Sequence, residues 1–343
     1  MSTTSDIRVV LPGLVEPEGL RIEPAEVPEP ARGRAVVRVE AAGVSFAEQS
    51  MRRGRYPGQP PFPFVPGYDL VGRVERVAAG EDASLVGRRV AAATKTGGWA
   101  TRALVDVEDL VPVPDAVEPE AAEAVVVNGI TSWQMLVRSA RVPAGGTVLV
   151  HGASGGVGTV LVQLARARGL RVIGTAAVRH HEAIRALGAE VVDSRSEDWD
   201  AAVRRLAPGG VDAVFDHLGI ASARRSFRLL RRGGALVAYG TAADRDGKRS
   251  VLGVFAEFLA QIAVWNVLPN GRRASFYDFW GGKRLRPAAF RRRQHEDLAA
   301  VLDLVARGEV VPEIAARFPL EQVAEALRLA ESRTVRGKVV LLP

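Results

Sequence analysis

The segment Val148-Leu149-Val150-His151-Gly152-Ala153-Ser154-Gly155-Gly156-Val157-Gly158 constrains this chain more than any other. An apolar strand runs directly into a glycine-rich turn, and the residues that follow carry helical spacing at Val162 and Ala165. Ala153-x-Gly155-x-x-Gly158 has the spacing of the dinucleotide fingerprint, with alanine in place of its first glycine. Gly155 lets backbone approach a pyrophosphate whose charge meets the helix N-terminus, and Gly158 lets the helix sit close on the strand. A strand before and a helix after are the context that such a motif requires. The plainer alternative is a tight strand-to-helix turn with no ligand.

The neighbouring sequence repeats that rhythm. Strands are expected at 147–151, 171–174, 190–192, 211–215 and 235–239, and helices at 158–168, 181–187 and 221–230. Strands and helices alternating at this interval make a parallel, doubly wound α/β sheet. Residues 7–110 have a different texture: short apolar strands (34–40, 70–77, 88–93) punctuated by Pro12-Gly13, Pro57-Gly58 and Pro66-Gly67. That pattern predicts an antiparallel, β-rich and partly barrel-shaped sheet. Helices at 297–307 and 320–332 and a strand at 337–342 close the chain. A length of 343 residues favours two domains over one core.

Composition narrows the chemistry. With no cysteine, disulfides, thiolate-held zinc, iron–sulfur clusters and cysteine nucleophiles are excluded. The five histidines all lie at or beyond His151. The net charge of +7 is local. Residues 272–293 hold eight basic side chains against Asp278 alone, and the rest of the chain balances at 38 basic and 38 acidic. Such a run reads as a solvated face before it reads as an anion site, and no nucleic-acid partner is expected. The stretch 1–7 lacks the layout of a secretory signal, and the longest apolar run, 253–268, is broken by Glu257, Gln261 and Asn266. A cytoplasmic protein without a membrane partner is expected.

The second strand of the βαβ unit bears on the choice of dinucleotide. It continues as Gly174-Thr175-Ala176-Ala177-Val178-Arg179-His180-His181, with no acid before Glu182 to hold a ribose diol. A hydroxyl, an arginine and histidines suit a 2′-phosphate, so NADPH is expected over NADH. The alternative is a solvated helix start.

Several further motifs fall in a recognisable order. They are Asn128-Gly-Ile-Thr131, the run 145–158, Gln163-Leu-Ala165, Leu187-Gly-Ala189, Val214-Phe-Asp-His-Leu-Gly219, Gly233-Gly-Ala-Leu-Val-Ala-Tyr-Gly240 and Gly337-Lys-Val-Val-Leu341. From about Val9 to Leu342 the chain resembles the medium-chain dehydrogenase/reductase superfamily, and within it the zinc-independent, zeta-crystallin-like quinone oxidoreductases. The resemblance implies a Rossmann NADPH-binding domain at 125–287. A GroES-like catalytic domain, from 1–124 and 288–343, would surround it, commonly in a homodimer. Ala42-Gly-Val-Ser45 and Pro66-Gly-Tyr-Asp69 match the segments where zinc-dependent relatives carry ligands, but Ser45 replaces cysteine and Tyr68 replaces histidine. No metal is therefore expected. Without a Lewis acid a simple alcohol or aldehyde is hard to polarise, whereas a conjugated acceptor spreads its developing charge. The activity implied is hydride transfer from NADPH to a quinone or an α,β-unsaturated carbonyl. The alternative is a nucleotide-binding protein of structural or regulatory role without reductase activity.

The same resemblance nominates site residues. Tyr56, in Arg53-Gly-Arg-Tyr-Pro57, matches a tyrosine beside the nicotinamide and is the candidate hydrogen-bond or proton donor, with a packing tyrosine as its other reading. Ser45 stands where many relatives have asparagine, and Asn128 and Thr131 correspond to contacts at the nicotinamide end. Ala153, Gly155, Gly156, Val157 and Gly158 would hold the pyrophosphate, Thr175, Arg179 and His180 the 2′-phosphate, and Tyr239, Gly240 and Lys338 further parts of the cofactor. Lys338 has a second reading as an exposed strand-end lysine. Ser194 departs from a phosphate-binding tyrosine of some relatives. His217 is either a general acid or structural. Phe276–Trp280 reads as an edge strand or a dimer contact, and 255–267 as ordinary core or the wall of an apolar pocket.

Overall fold

A computed structural model describes residues 6–26, 29–242 and 250–343; residues 1–5 of the stretch read for a targeting signal lie outside it. The chain forms two compact units, Met1–Ile130 with Leu285–Pro343, and Thr131–Arg284.

The first unit opens with β1 (Ile7–Val10) and β2 (Arg21–Pro24), an antiparallel pair. It continues through β3 (Arg34–Val44), α1 (Phe46–Met51), β4 (Asp69–Val77), β5 (Arg89–Ala93), β6 (Arg102–Asp106) and β7 (Val111–Pro112). The helix α2 (Pro119–Trp133) carries the chain out of this unit.

The second unit alternates β8 (Thr147–Val150), α3 (Gly156–Ala167), β9 (Arg171–Ala176), α4 (His181–Ala186), β10 (Glu190–Asp193), α5 (Trp199–Leu206), β11 (Val211–Asp216), α6 (Ile220–Leu229), β12 (Leu230–Ala238), α7 (Val251–Val267) and β13 (Arg273–Phe276). Its six strands are all parallel in the order β10-β9-β8-β11-β12-β13, the doubly wound Rossmann arrangement. Leu149, Ile173, Val214 and Leu236 come from four successive strands of this sheet into one core with Phe227, Phe258 and Trp265.

The chain then returns to the first unit through α8 (Pro287–Ala306), β14 (Ile314–Pro319), α9 (Val323–Ser332) and β15 (Lys338–Leu342). The GroES-like, β-rich sheet of that unit runs β14-β15-β3-β4-β5-β7, with β6 also on β3. All its pairs are antiparallel except β14 with β15. Val37, Leu70, Val90, Trp99 and Leu341 fill its core, each large side chain contributing about 1.5–3 kcal/mol through burial.

Three local readings change. The strand expected from residue 235 begins at Leu230, because Leu229 ends α6 and the chain bulges where β11 meets β12 between Val211 and Ala213. The strand expected at the aromatic cluster lies earlier, at Arg273–Phe276, and the cluster's remaining residues follow it. Phe258, Ile262 and Trp265 are packed in the core, so they do not form a pocket wall.

Candidate cofactor turn and hydroxyl site

At the carboxyl end of β8 the chain reverses through Gly152, whose φ of 63° is in the left-handed region that suits glycine. A Cβ there would also lie 2.4 Å from the His217 ring. The turn is pinned by Ala153 N–H donating to Thr175 O (2.9 Å) and Gly155 N–H donating to Gly152 O (2.9 Å). Gly158 packs α3 on the turn so closely that a Cβ would sit 2.1 Å from Gly152 O. Gly155 differs: it is exposed, and a Cβ would meet only Gly152 O, at 3.4 Å. The space above Gly155 is open, and the first-turn N–H groups at Gly156, Val157 and Gly158 are those an α-helix leaves without intrahelical partners. With the positive end of the helix dipole behind them, they make a cradle for a pyrophosphate.

Under the turn lies a directed hydrogen-bond chain. Ser226 and Ser222 hydroxyls both donate to Asp216 Oδ2, at 2.9 and 2.7 Å. Ser226 Oγ must then accept from His151 Nε2 (2.9 Å), which puts the imidazole proton on that nitrogen. His151 Nδ1 in turn accepts from the Thr175 hydroxyl (3.1 Å), and Thr175 Oγ1 accepts from Gly152 N–H (3.3 Å). Burial holds His151 below its ordinary pKa, against the pull of Asp216, so the ring is kept neutral. Thr175 is 1% exposed. This corrects its expected role: its hydroxyl supports the turn from beneath and does not face a 2′-phosphate. Arg179 is exposed just past β9, with His180 beside it accepting a bond from Arg179 Nε (3.1 Å). Tyr239 and Gly240 follow β12 directly, next to His217, whose Nδ1 lies 3.4 Å from the Tyr239 hydroxyl. His217 therefore packs over the glycine turn.

The catalytic candidates sit in the first unit. Tyr56 is half-buried, and its hydroxyl lies 2.6 Å from that of Tyr68, the rings meeting edge to face at 5.8 Å. Lys95 Nζ stands 5.8 Å from the centre of the Tyr56 ring. Ser45 caps α1: its Oγ accepts from Ala47 N–H and bonds Glu48 Oε2, while Glu48 Oε2 accepts from Ser45 N–H. The other Glu48 oxygen accepts from Tyr68 N–H at 2.7 Å. Ser45 thus spends its hydroxyl within its own capping box. Asn128 is buried and donates to Ala124 O (3.1 Å), one turn back in α2, and Thr131 is buried as well.

Lys338 is buried too, which corrects its reading as an exposed lysine. Its Nζ lies 3.0 Å from Asp69 Oδ2 and 3.4 Å from Glu123 Oε1. Burial opposes the ammonium charge, yet Asp69, then Glu123 and Glu48, hold it above the ordinary lysine pKa. Burial, followed by the Asp69 charge, pushes Glu123 well above the ordinary carboxylate range and raises Glu48 as well. Asp69, Glu48 and Glu123 were not singled out from sequence. Ser45-x-x-Glu48 before a helix is a capping-box pattern that exposes one of them.

Residues 31–115 match the family described as alcohol dehydrogenase GroES-like domain, and residues 187–341 the one described as zinc-binding dehydrogenase. The human synaptic vesicle membrane protein VAT-1 homolog is 31% identical over 334 residues, covering 94% of this chain and 82% of the relative. The chain belongs to the medium-chain dehydrogenase/reductase superfamily. The quinone oxidoreductase of Pongo abelii is 29% identical over 95% of this chain and 94% of its own. The crystal structure of Escherichia coli quinone oxidoreductase complexed with NADPH has a TM-score of 0.85 and 25% identity, covering 98% of this chain and 100% of that one. These relatives place the chain in the quinone oxidoreductase and VAT-1 homolog branch of the superfamily.

Within that superfamily the donor set here does not fit zinc. A hydroxyl and a phenol stand at Ser45 and Tyr68, and both are already hydrogen-bonded. Among the described residues no three His, Cys, Asp or Glu side chains are arranged to hold a metal. A buried ammonium, that of Lys338, takes the Asp69 and Glu123 carboxylates beneath Tyr68.

Proposed function

We propose that this member of the superfamily is an NADPH-dependent oxidoreductase acting on a quinone or an α,β-unsaturated carbonyl. The observation that carries the reading is the Gly155 turn, open above a helix N-terminus that is shaped for a pyrophosphate. Quinone oxidoreductase relatives, one of them described in complex with NADPH, support the same assignment. Gly155, Gly156, Val157 and Gly158 would hold the pyrophosphate, with Arg179 and His180 toward the 2′-phosphate and Tyr239, Gly240, Ala153, Asn128 and Thr131 retained from the family pattern, whereas the buried ammonium of Lys338 is spent on Asp69 and Glu123. The bound reduced nicotinamide supplies a hydride.

In this reading the chain's own part is to polarise the acceptor and hold a proton. The Tyr56 hydroxyl donates to the substrate oxygen as negative charge develops there. Tyr68, by donating to Tyr56, fixes the direction in which the Tyr56 proton points. Ser45 acts through its cap, by placing Glu48 under Tyr68. The proposal includes a cytoplasmic homodimer; no helix among the described residues is long and apolar enough to cross a membrane.

The test is NADPH oxidation by purified protein across a panel of quinones and enones. Tyr56→Phe should lower kcat about 10- to 100-fold while leaving the NADPH Kd nearly unchanged. Arg179→Ala should weaken NADPH far more than NADH. Tight NADPH binding with no turnover on any acceptor would favour a nucleotide-binding structural or regulatory protein instead.

A further inference from the structure

Many arginines of the first unit are paired with acids. Arg52 and Arg53 share Glu331, Arg73 and Arg89 share Glu40, and Arg291 reaches Asp106, Glu108 and Asp109. In the second unit, several arginines gather at one place around a single acid. A cleft of about 260 Å³ is lined by Arg204, Arg228, Arg231, Arg232 and Arg272 around the Gly209-Gly210 turn. Arg231 is paired with Asp212. Among the described residues, Arg204, Arg228 and Arg232 have no ion-pair or hydrogen-bond partner, and neither does the buried Nε of Arg272. Arg272 is otherwise held by the Phe227 carbonyl (3.4 Å) and lies over the Phe227 ring. Five cations thus face one cleft with a single carboxylate among them.

Helix ends explain only part of this. Arg204 and Arg228 lie in the last turns of α5 and α6, where a cation complements the helix dipole. Arg231, Arg232 and Arg272 are on no helix and have no such reason to converge. The floor is also closely fitted. Gly210 has a φ of 85°, and a Cβ on it would lie 2.8 Å from Arg231 N, so the chain entering β11 is locked against the chain entering β12. The cleft is at the amino ends of these parallel strands, whereas the glycine turn follows the carboxyl end of β8. Six residues of β11 separate the two levels by roughly 15–20 Å at about 3.3 Å per residue.

We propose that this arginine cleft is an anion site, separate from the glycine turn, that takes a chain of two or three linked phosphates. Several guanidinium groups with free donors suit multiple phosphate oxygens, and charges brought this close repel one another until an anion enters. A concave cleft of this size suits a compact oligophosphate; a duplex needs an extended basic face.

The test is isothermal titration calorimetry of the full chain with sodium tripolyphosphate, alone and with saturating NADPH. One tripolyphosphate per chain should bind in both cases, with affinity falling steeply as salt rises. Arg228→Gln with Arg232→Gln should weaken it at least tenfold, while the thermal melt and NADPH affinity stay unchanged. Arg204→Gln alone, on an exposed helix end, serves should the double variant fold poorly, and should give a threefold or greater loss. Arg179→Gln should leave tripolyphosphate binding as it was. ATP binding with equal affinity identifies the phosphate tail of a nucleotide as a source; tripolyphosphate binding alone identifies inorganic polyphosphate. Absence of binding, competition by NADPH, unchanged affinity in the arginine variants, or tighter binding of duplex DNA would each overturn the proposal.

Discussion

Glu48, Asp69, Glu123 and Lys338 share a buried volume in the first unit, none more than 4% exposed. Burial disfavours their charged forms, and three carboxylates around one ammonium would leave excess negative charge, so Glu48 and Glu123 hold their protons more tightly than usual. Removing the cation is the severe change. Lys338→Met should destabilise the protein by about 3–5 kcal/mol, the cost of stranding a buried charge, measured by urea denaturation at pH 7. Glu123→Gln should be mild by comparison, since the amide imitates the neutral acid. It should also flatten the pH dependence. A carboxyl whose folded pKa is raised binds more protons folded than unfolded, so its stabilisation is complete below the ordinary glutamate range and is lost as pH rises through the folded value. Melting curves of the wild type and Glu123→Gln should therefore agree near pH 4 and diverge in favour of the variant toward pH 8, with Glu48 leaving a residual slope. Parallel curves would mean that Glu123 is ionised in the fold. This cluster was hardly legible in the sequence, because its members are some 290 residues apart and no spacing announces them.

At the level of elements, the strand–turn–helix at β8 and α3 was fully legible, since every participant lies within 21 consecutive residues. The support under the turn was not. Thr175 reads as a surface hydroxyl at a strand end, and only the pairing of β8 with β9 turns it toward His151 and the Gly152 amide. Two glycines of the turn separate experimentally. Gly155→Ala meets only one contact at 3.4 Å, so the fold should survive with a melting temperature close to wild type while NADPH affinity falls tenfold or more. Gly158→Ala forces a methyl to 2.1 Å from Gly152 O and should cost more than about 2 kcal/mol. If Gly155→Ala bound NADPH normally, the open space above it would not be where the pyrophosphate lies.

For the molecule as a whole, the α/β and β-rich halves were readable from the change in texture near residue 120, but association was not, and it is here that α7 matters. Its buried side, Val254, Phe258, Ile262 and Trp265, packs in the core of the second unit, yet the opposite side is also apolar. Leu252, Ala256, Leu259, Ala263 and Val267 recur at helical spacing, all exposed, with Leu252 and Val267 each 84% exposed. A helix apolar on both sides is ordinarily covered on both. The alternative surface, the free edge of β13, is partly closed: Asn266 Oδ1 accepts from Ala274 N–H and its Nδ2 donates to Ala274 O, both at 2.8 Å. These are the groups a partner strand would need. The homodimer proposed above should therefore pack through the exposed row of α7. Leu259→Glu, on the solvent side of the helix, should leave the thermal melt of the subunit intact and convert the dimer to a monomer in sedimentation velocity. A dimer that survives Leu259→Glu but dissociates when β13 carries Phe276→Pro would place the contact on the strand edge and free α7 for another role.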